Sequence, residues 1–208
     1  MSVFDNVIKE LETRSKYKSF VKSAFNIVLP KKLDELITSR LDELIKLGKL
    51  MRHIFTFYDK LGARRKEKLV KSSNEGYTTP YGTVESDVLS ITASREPLGI
   101  SLTFMVSKNK DDMLMYLSIF GVTFNISVGS DGKLEINCTY YEEDVALIVE
   151  ILTKLDRILK NINEMIDDVK EFMEETAREV LTSMEYLKED RVKTIMSKYG
   201  SIVAVEKI

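Results

Sequence analysis

The chain has no tryptophan and no glutamine, and it carries one cysteine and one histidine among 208 residues. Cys138 alone cannot form an internal disulfide, and with His53 as its only companion it cannot complete a His/Cys zinc cluster within one chain. Such cysteine usage fits a reducing compartment. Long apolar runs are also missing: no stretch approaches the roughly 18 to 20 residues of a membrane span. At the N-terminus Phe4, Val7 and Ile8 alternate with Asp5, Lys9 and Glu10, where a signal peptide would carry an unbroken apolar core. The expectation is a cytoplasmic protein with no membrane partner. No P-loop, dinucleotide-binding glycine fingerprint, HExxH, GxSxG or kinase signature occurs anywhere. The chain is therefore expected to be no enzyme, with neither cofactor nor metal. Missing glutamine beside abundant Lys, Glu and Ile is the drift of thermophile proteins, which carry fewer labile amides and more ion-pairing residues.

With 44% hydrophobic and 31% charged residues, the chain has the makings of a folded core and a soluble surface. Its net charge of −2 hides an asymmetry. Residues 1–71 hold seventeen Lys/Arg against nine Asp/Glu, residues 72–141 four against eight, and residues 142–208 ten against sixteen. The two ends carry opposite sign and should attract one another, within one chain or between two.

Three segments follow from the hydrophobic period. In residues 1–71, Val3, Phe4, Val7, Ile8 and Leu11, then Tyr17, Phe20, Val21, Ala24, Phe25 and Val28, recur at helical spacing. Pro30 interrupts them, and proline suits the first turn of a new helix better than an interior, so a break near Leu29 is expected. Two helices, about 3–28 and 31–62, make this N-terminal arm. The second runs through Leu33, Ile37, Leu41, Leu44, Met51, Phe55 and Tyr58, has Gly48 on its seam, and meets a stop at Gly62. Residues 63–80 read as a linker.

Residues 72–141 form a second domain in which the period falls to two. Leu98, Ile100, Leu102, Phe104 and Val106 alternate with Gly99, Ser101, Thr103 and Met105, and Phe124, Ile126 and Val128 alternate with Thr123, Asn125 and Ser127. One face is meant for a core and the other for water. Gly129–Gly132 and Lys108–Asp112 mark reversals, and Gly121 is either a bulge or the boundary between two strands. Four or five antiparallel strands in meander order are expected.

Residues 142–200 begin with Glu142, Glu143 and Asp144 at a helix start and read as one very long helix of roughly 80 Å at 1.5 Å per residue. Residues 201–208 are a tail or a short strand. Along this helix runs a seam of Val145, Ile148, Leu152, Leu155, Leu159, Ile162, Ile166, Val169 and Met173. Ile151, Ile158, Met165 and Phe172 form a second row beside it. A coiled-coil dimer needs only the narrow seam, whereas the wider stripe suits a helix covered by two neighbours. The fold expected is α+β: a long-helix bundle of two N-terminal helices and one C-terminal helix, with the sheet inserted between the arms and lying at one end of them.

The chemistry on offer is sparse. Arg64, Arg65, Lys66, Lys68 and Lys71 could neutralise phosphates without reading sequence, and Tyr77 and Tyr81 could stack bases. The plainer reading of that run is a solvated helix end. Acidic pairs such as Asp111-Asp112 and Asp167-Asp168 diverge by about 100° when adjacent on a helix, so they do not make a metal pocket on their own. His53 and Cys138 read as packing residues. The function expected is a non-enzymatic assembly or adaptor protein that oligomerises or binds a protein partner through its helices and presents its sheet. The alternative is sequence-independent nucleic-acid binding through residues 64–71.

Overall fold

Alternation with period two builds the centre of the molecule. In the computed structural model, which describes residues 18–60, 81–85, 87–95, 98–139 and 145–183, six antiparallel strands pair in simple chain order. They are β1 (Tyr81–Glu85), β2 (Val88–Arg95), β3 (Ile100–Ser107), β4 (Met113–Ile119), β5 (Val122–Val128) and β6 (Leu134–Thr139). Gly121 proves to be a boundary: Phe120 and Gly121, with φ of 49° and 88°, form the two-residue turn between β4 and β5. Positive φ at both central positions gives that turn the twist of the strands it joins. At the next hairpin Gly129 N–H donates to the Lys133 carbonyl at 2.7 Å, and Lys133 N–H donates to Asp131 Oδ1 at 3.0 Å.

From β2 to β5 every second residue is buried on one face. Leu89, Ile91 and Ala93 of β2, Ile100 to Val106 of β3, Met113 to Ile119 of β4 and Val122 to Val128 of β5 contribute alternate side chains to one core.

Four helices cover that face. They are α1 (Lys18–Ser39), α2 (Leu41–Lys60), α3 (Val145–Thr153) and α4 (Leu155–Ser183). The expected break at Pro30 does not occur, for α1 passes straight through it. A proline in a helix interior costs about 3 kcal/mol. Phe25, Leu29, Leu33 and Ile37, one turn apart and all fully buried, each recover about 1.5–3 kcal/mol. Packing therefore outweighs the lost hydrogen bond. The chain turns ten residues later, at Arg40, where Arg40 N–H bonds the Ile37 carbonyl and the Arg40 carbonyl accepts from Leu44 N–H. The helix bounds expected at 3–28 and 31–62 are corrected accordingly, and residues 3–17 lie outside the described ones.

The single long helix expected over residues 142–200 is also corrected. It is interrupted at Lys154, giving helices of 9 and 29 residues. Thr153 Oγ1 donates to the Val149 carbonyl at 2.7 Å, and this back-bonding of a hydroxyl to the preceding turn bends helices. The i→i−4 bonds continue on both sides, from Lys154 N–H to Glu150 and from Ile158 N–H to Lys154. Residues 184–200 and the tail lie outside the described ones.

The helices lie as a layer across the sheet instead of standing beyond its end. α4 packs on α2 and α1 and also on β2 and β3, while α1 reaches β6 and α2 reaches β2, β3 and β5. The width of the apolar stripe on α4 is explained by these two kinds of neighbour. Among the described residues no helix is long and apolar enough to cross a membrane.

Candidate functional site

Because the helices take one face of the sheet, the other is left to the alternate residues. Strand register aligns them in rows: Thr92 lies opposite Thr103, Thr103 opposite Tyr116, Tyr116 opposite Asn125, and Asn125 opposite Asn137. One flanking row is Ser90, Met105, Leu114, Ser127 and Glu135, and the other is Ser94, Ser101, Ser118, Thr123 and Thr139. Val88 and Ser107 complete the face at one end. At its centre the Thr92 and Thr103 hydroxyls bond one another at 2.9 Å. Tyr116, between Thr103 and Asn125 in that row, is 38% exposed.

The chemistry of this face is uniform. From β2 to β6 it holds hydroxyls, two amides and a few apolar side chains, and its one charge, Glu135, sits on the last strand, paired with Lys133. In a chain with 31% charged residues that composition sets the face apart, since solvated strand positions ordinarily take charged side chains too. Arg95, the other charged residue of these strands, points to the helical side and binds Asp168 at 2.8 Å and Glu164 at 3.8 Å.

A second polar cluster lies where α1, α2 and α4 meet. Arg40, its side chain only 12% exposed, donates to Asn163 O at 2.9 Å, to Glu43 Oε2 at 2.7 Å and to Asp167 Oδ1 at 2.5 Å. Lys170 donates to the other Glu43 oxygen. Burial pushes the Glu43 carboxyl up, but the hydrogen bonds from Lys170 and Arg40 outweigh it and hold the group below its ordinary range. A pocket of about 480 Å³ opens beside this cluster, lined by Thr38, Ser39, Asp42 and Lys46 among others. Its Arg40 and Lys170 are already engaged by carboxylates of the chain itself, so the cluster acts as a joint pinning α1–α2 to α4. Ser39 closes α1 beside this joint by donating its hydroxyl to the Leu36 carbonyl at 2.7 Å.

Ile148, Leu152, Ile162, Ile166, Val169 and Met173 of the seam are buried in the chain's own core, and Val145, Leu155 and Leu159 are partly buried against it. Ile151, Ile158, Met165 and Phe172 of the second row are buried as well. Asp167 and Asp168 diverge as expected, one to Arg40 and one to Arg95. Cys138 is a free, partly buried cysteine on the helix-facing side of β6, and burial pushes its thiol up to about 11. Arg64, Arg65, Lys66, Lys68 and Lys71 lie outside the described residues, as does Tyr77. Among the described residues no group of three or more His, Cys, Asp and Glu could hold a metal ion.

The outer face as a whole was not singled out from sequence. Its signal is the run of Ser, Thr and Asn at alternate positions, which reads as ordinary solvated strand until register shows those positions sharing one plane. Comparison with protein-family models, with curated proteins and with solved structures finds no match to this chain.

Proposed function

We propose that this protein is a non-enzymatic assembly or adaptor module, in which a layer of helices stiffens an antiparallel sheet and the sheet's outer face receives a protein partner. The observation that carries this reading is the near absence of charge from that face. Interface cores are depleted in charge because an ammonium or carboxylate is costly to desolvate, whereas hydroxyls and amides give up water cheaply and bond in either direction. Tyrosine is the side chain such surfaces favour, offering a large rigid area at small entropic cost. The apolar rows of α3 and α4 serve the chain's own core, which moves the docking role from helices to sheet.

The test is photo-crosslinking in cells that make the protein. A photoreactive phenylalanine analogue replaces Tyr116 on the outer face or, as control, Lys160 on the outer side of α4. A discrete protein adduct at 116 and not at 160 is the expected result; failure to capture any protein at 116 discards the reading. Nucleic acid co-purifying with the chain, and lost on replacing Arg64 and Arg65, would put sequence-independent nucleic-acid binding in its place.

A further inference from the structure

We infer that the occupant of the outer sheet face is a second copy of this chain, apposed sheet to sheet about a two-fold axis; the inference rests on that face being a protein-docking surface.

The first ground is electrostatic. A two-fold axis sets a patch against itself, so any cation or carboxylate near the axis meets its own kind. The centre of this face, Thr92, Thr103, Tyr116, Ser118 and Asn125, carries none. Each hydroxyl and amide there both donates and accepts, so identical groups can bond to one another, which lysines or glutamates cannot do. Elsewhere among the described residues α4 and the second half of α1 expose charges, Asp156, Arg157 and Lys160 on the one and Lys31, Lys32, Asp34 and Glu35 on the other, while the first half of α1 exposes a narrow uncharged row of Phe20, Ser23, Asn26 and Ile27. The α1 row is one helix wide, whereas the sheet face spreads its uncharged side chains over five strands.

The second ground is size. Strands about 4.8 Å apart, rising about 3.4 Å per residue, make six strands of about seven residues, β1 and its edge position Glu85 opposite Val88 included, cover roughly 700 Å². Two copies would then bury on the order of 1,400 Å², at the lower end of stable protein interfaces, which run from about 1,200 to 2,000 Å². The third is shape. Face-to-face sheets stack about 10 Å apart. Tyr116, the exposed large residue of the face, is the knob that crosses such a gap, and the short side chains at Ser101, Ser118 and Thr123 leave the hollow for it.

Sedimentation equilibrium of the full chain, from low to high micromolar concentration, tests the inference together with Tyr116→Arg and Thr103→Lys on the face and Lys160→Glu on α4. The wild type is expected to dimerise reversibly, each face substitution to weaken the dimer about a hundredfold by bringing cations together across the axis, and Lys160→Glu to leave it unchanged. Circular dichroism and thermal midpoint confirm that each variant folds. Should Tyr116→Arg fail to fold, Thr103→Lys decides. A strict monomer throughout the range, or a dimer that survives the face substitutions, overturns the inference. The crosslinked product at 116 separates the two proposals. A product of twice the chain mass supports both, and a different protein sinks the dimer but keeps the docking face. Attachment to residues 1–17, 61–80 or 184–208 of the same chain gives the face to the protein itself and overturns both.

Discussion

Gly48 of α2 lies against Met113 at the start of β4: a Cβ added to the glycine would stand 3.2 Å from the methionine Cβ and 3.4 Å from its Sδ. Helix and sheet meet here with no room for a branched side chain. Gly48→Val is expected to lower stability by about 2 kcal/mol through overpacking. Gly48→Ala should change it far less, because about 1 kcal/mol of helix propensity offsets the tighter contact. Urea unfolding with an unchanged slope is the measurement, and equal effects of the two substitutions would refute the close approach.

Pro30 is tolerated, not required. Pro30→Ala restores a backbone donor in the middle of α1 and should raise stability by about 1 kcal/mol, less than the full propensity difference because the proline also restricts the unfolded chain. A lower thermal midpoint in the variant would show that the ring itself is needed.

Arg40 ties the α1–α2 corner to α4. Arg40→Leu strands Glu43 and Asp167 without their shared partner and is expected to cost about 2 kcal/mol. In a double-mutant cycle with Glu43→Gln, the two substitutions should fall short of additivity by about 1 kcal/mol. Additive effects would mean that the geometry carries no coupling.

The same cluster sets an acid limit. Glu43 has a carboxyl pKa held below its ordinary value of 4.5 in the folded chain, so folding favours its ionised form. Its contribution is complete above that ordinary value and is lost as pH falls through the lower, folded one. Stability measured against pH should therefore decline on the acid side, with a shallower slope in Glu43→Gln. Identical slopes would rule Glu43 out as a source of the decline.

Cys138 should be slow to alkylate. Burial raises its thiol from 9.0 to about 11, which reduces the thiolate at pH 8 about a hundredfold. Iodoacetamide labelling is expected to follow unfolding, and labelling of the native chain at the rate of a free thiol would contradict the placement.

Much of the sheet was legible in the residues. Alternation from Leu98 to Val106 and from Thr123 to Val128, and the turn signal at Gly129–Gly132, depend on neighbours in sequence, so the period follows directly, while at Gly121 the residues alone leave bulge and strand boundary both open. β1 and β2 were harder to read, because Leu89, Ile91 and Ala93 make a short alternation that ends on a small residue. Proline's local cost at Pro30 is visible in the residues, while the burial that outweighs it comes from distant elements, and the anchoring of Arg40 by Asn163 and Asp167 comes from residues more than 120 positions away.

The division has one physical cause. By itself the sequence determined the α+β composition, the two faces of the sheet, the width of the apolar stripe on the last helix and the opposite charge of the chain's two ends, since each is a matter of spacing or composition. Only the tertiary structure decided that the stripe would be spent on the chain's own sheet and helices, and that Thr92, Thr103, Tyr116, Asn125 and Asn137 would line up as an uncharged surface. Those outcomes depend on which distant elements meet, and burial at long range outweighs the preference of any single residue.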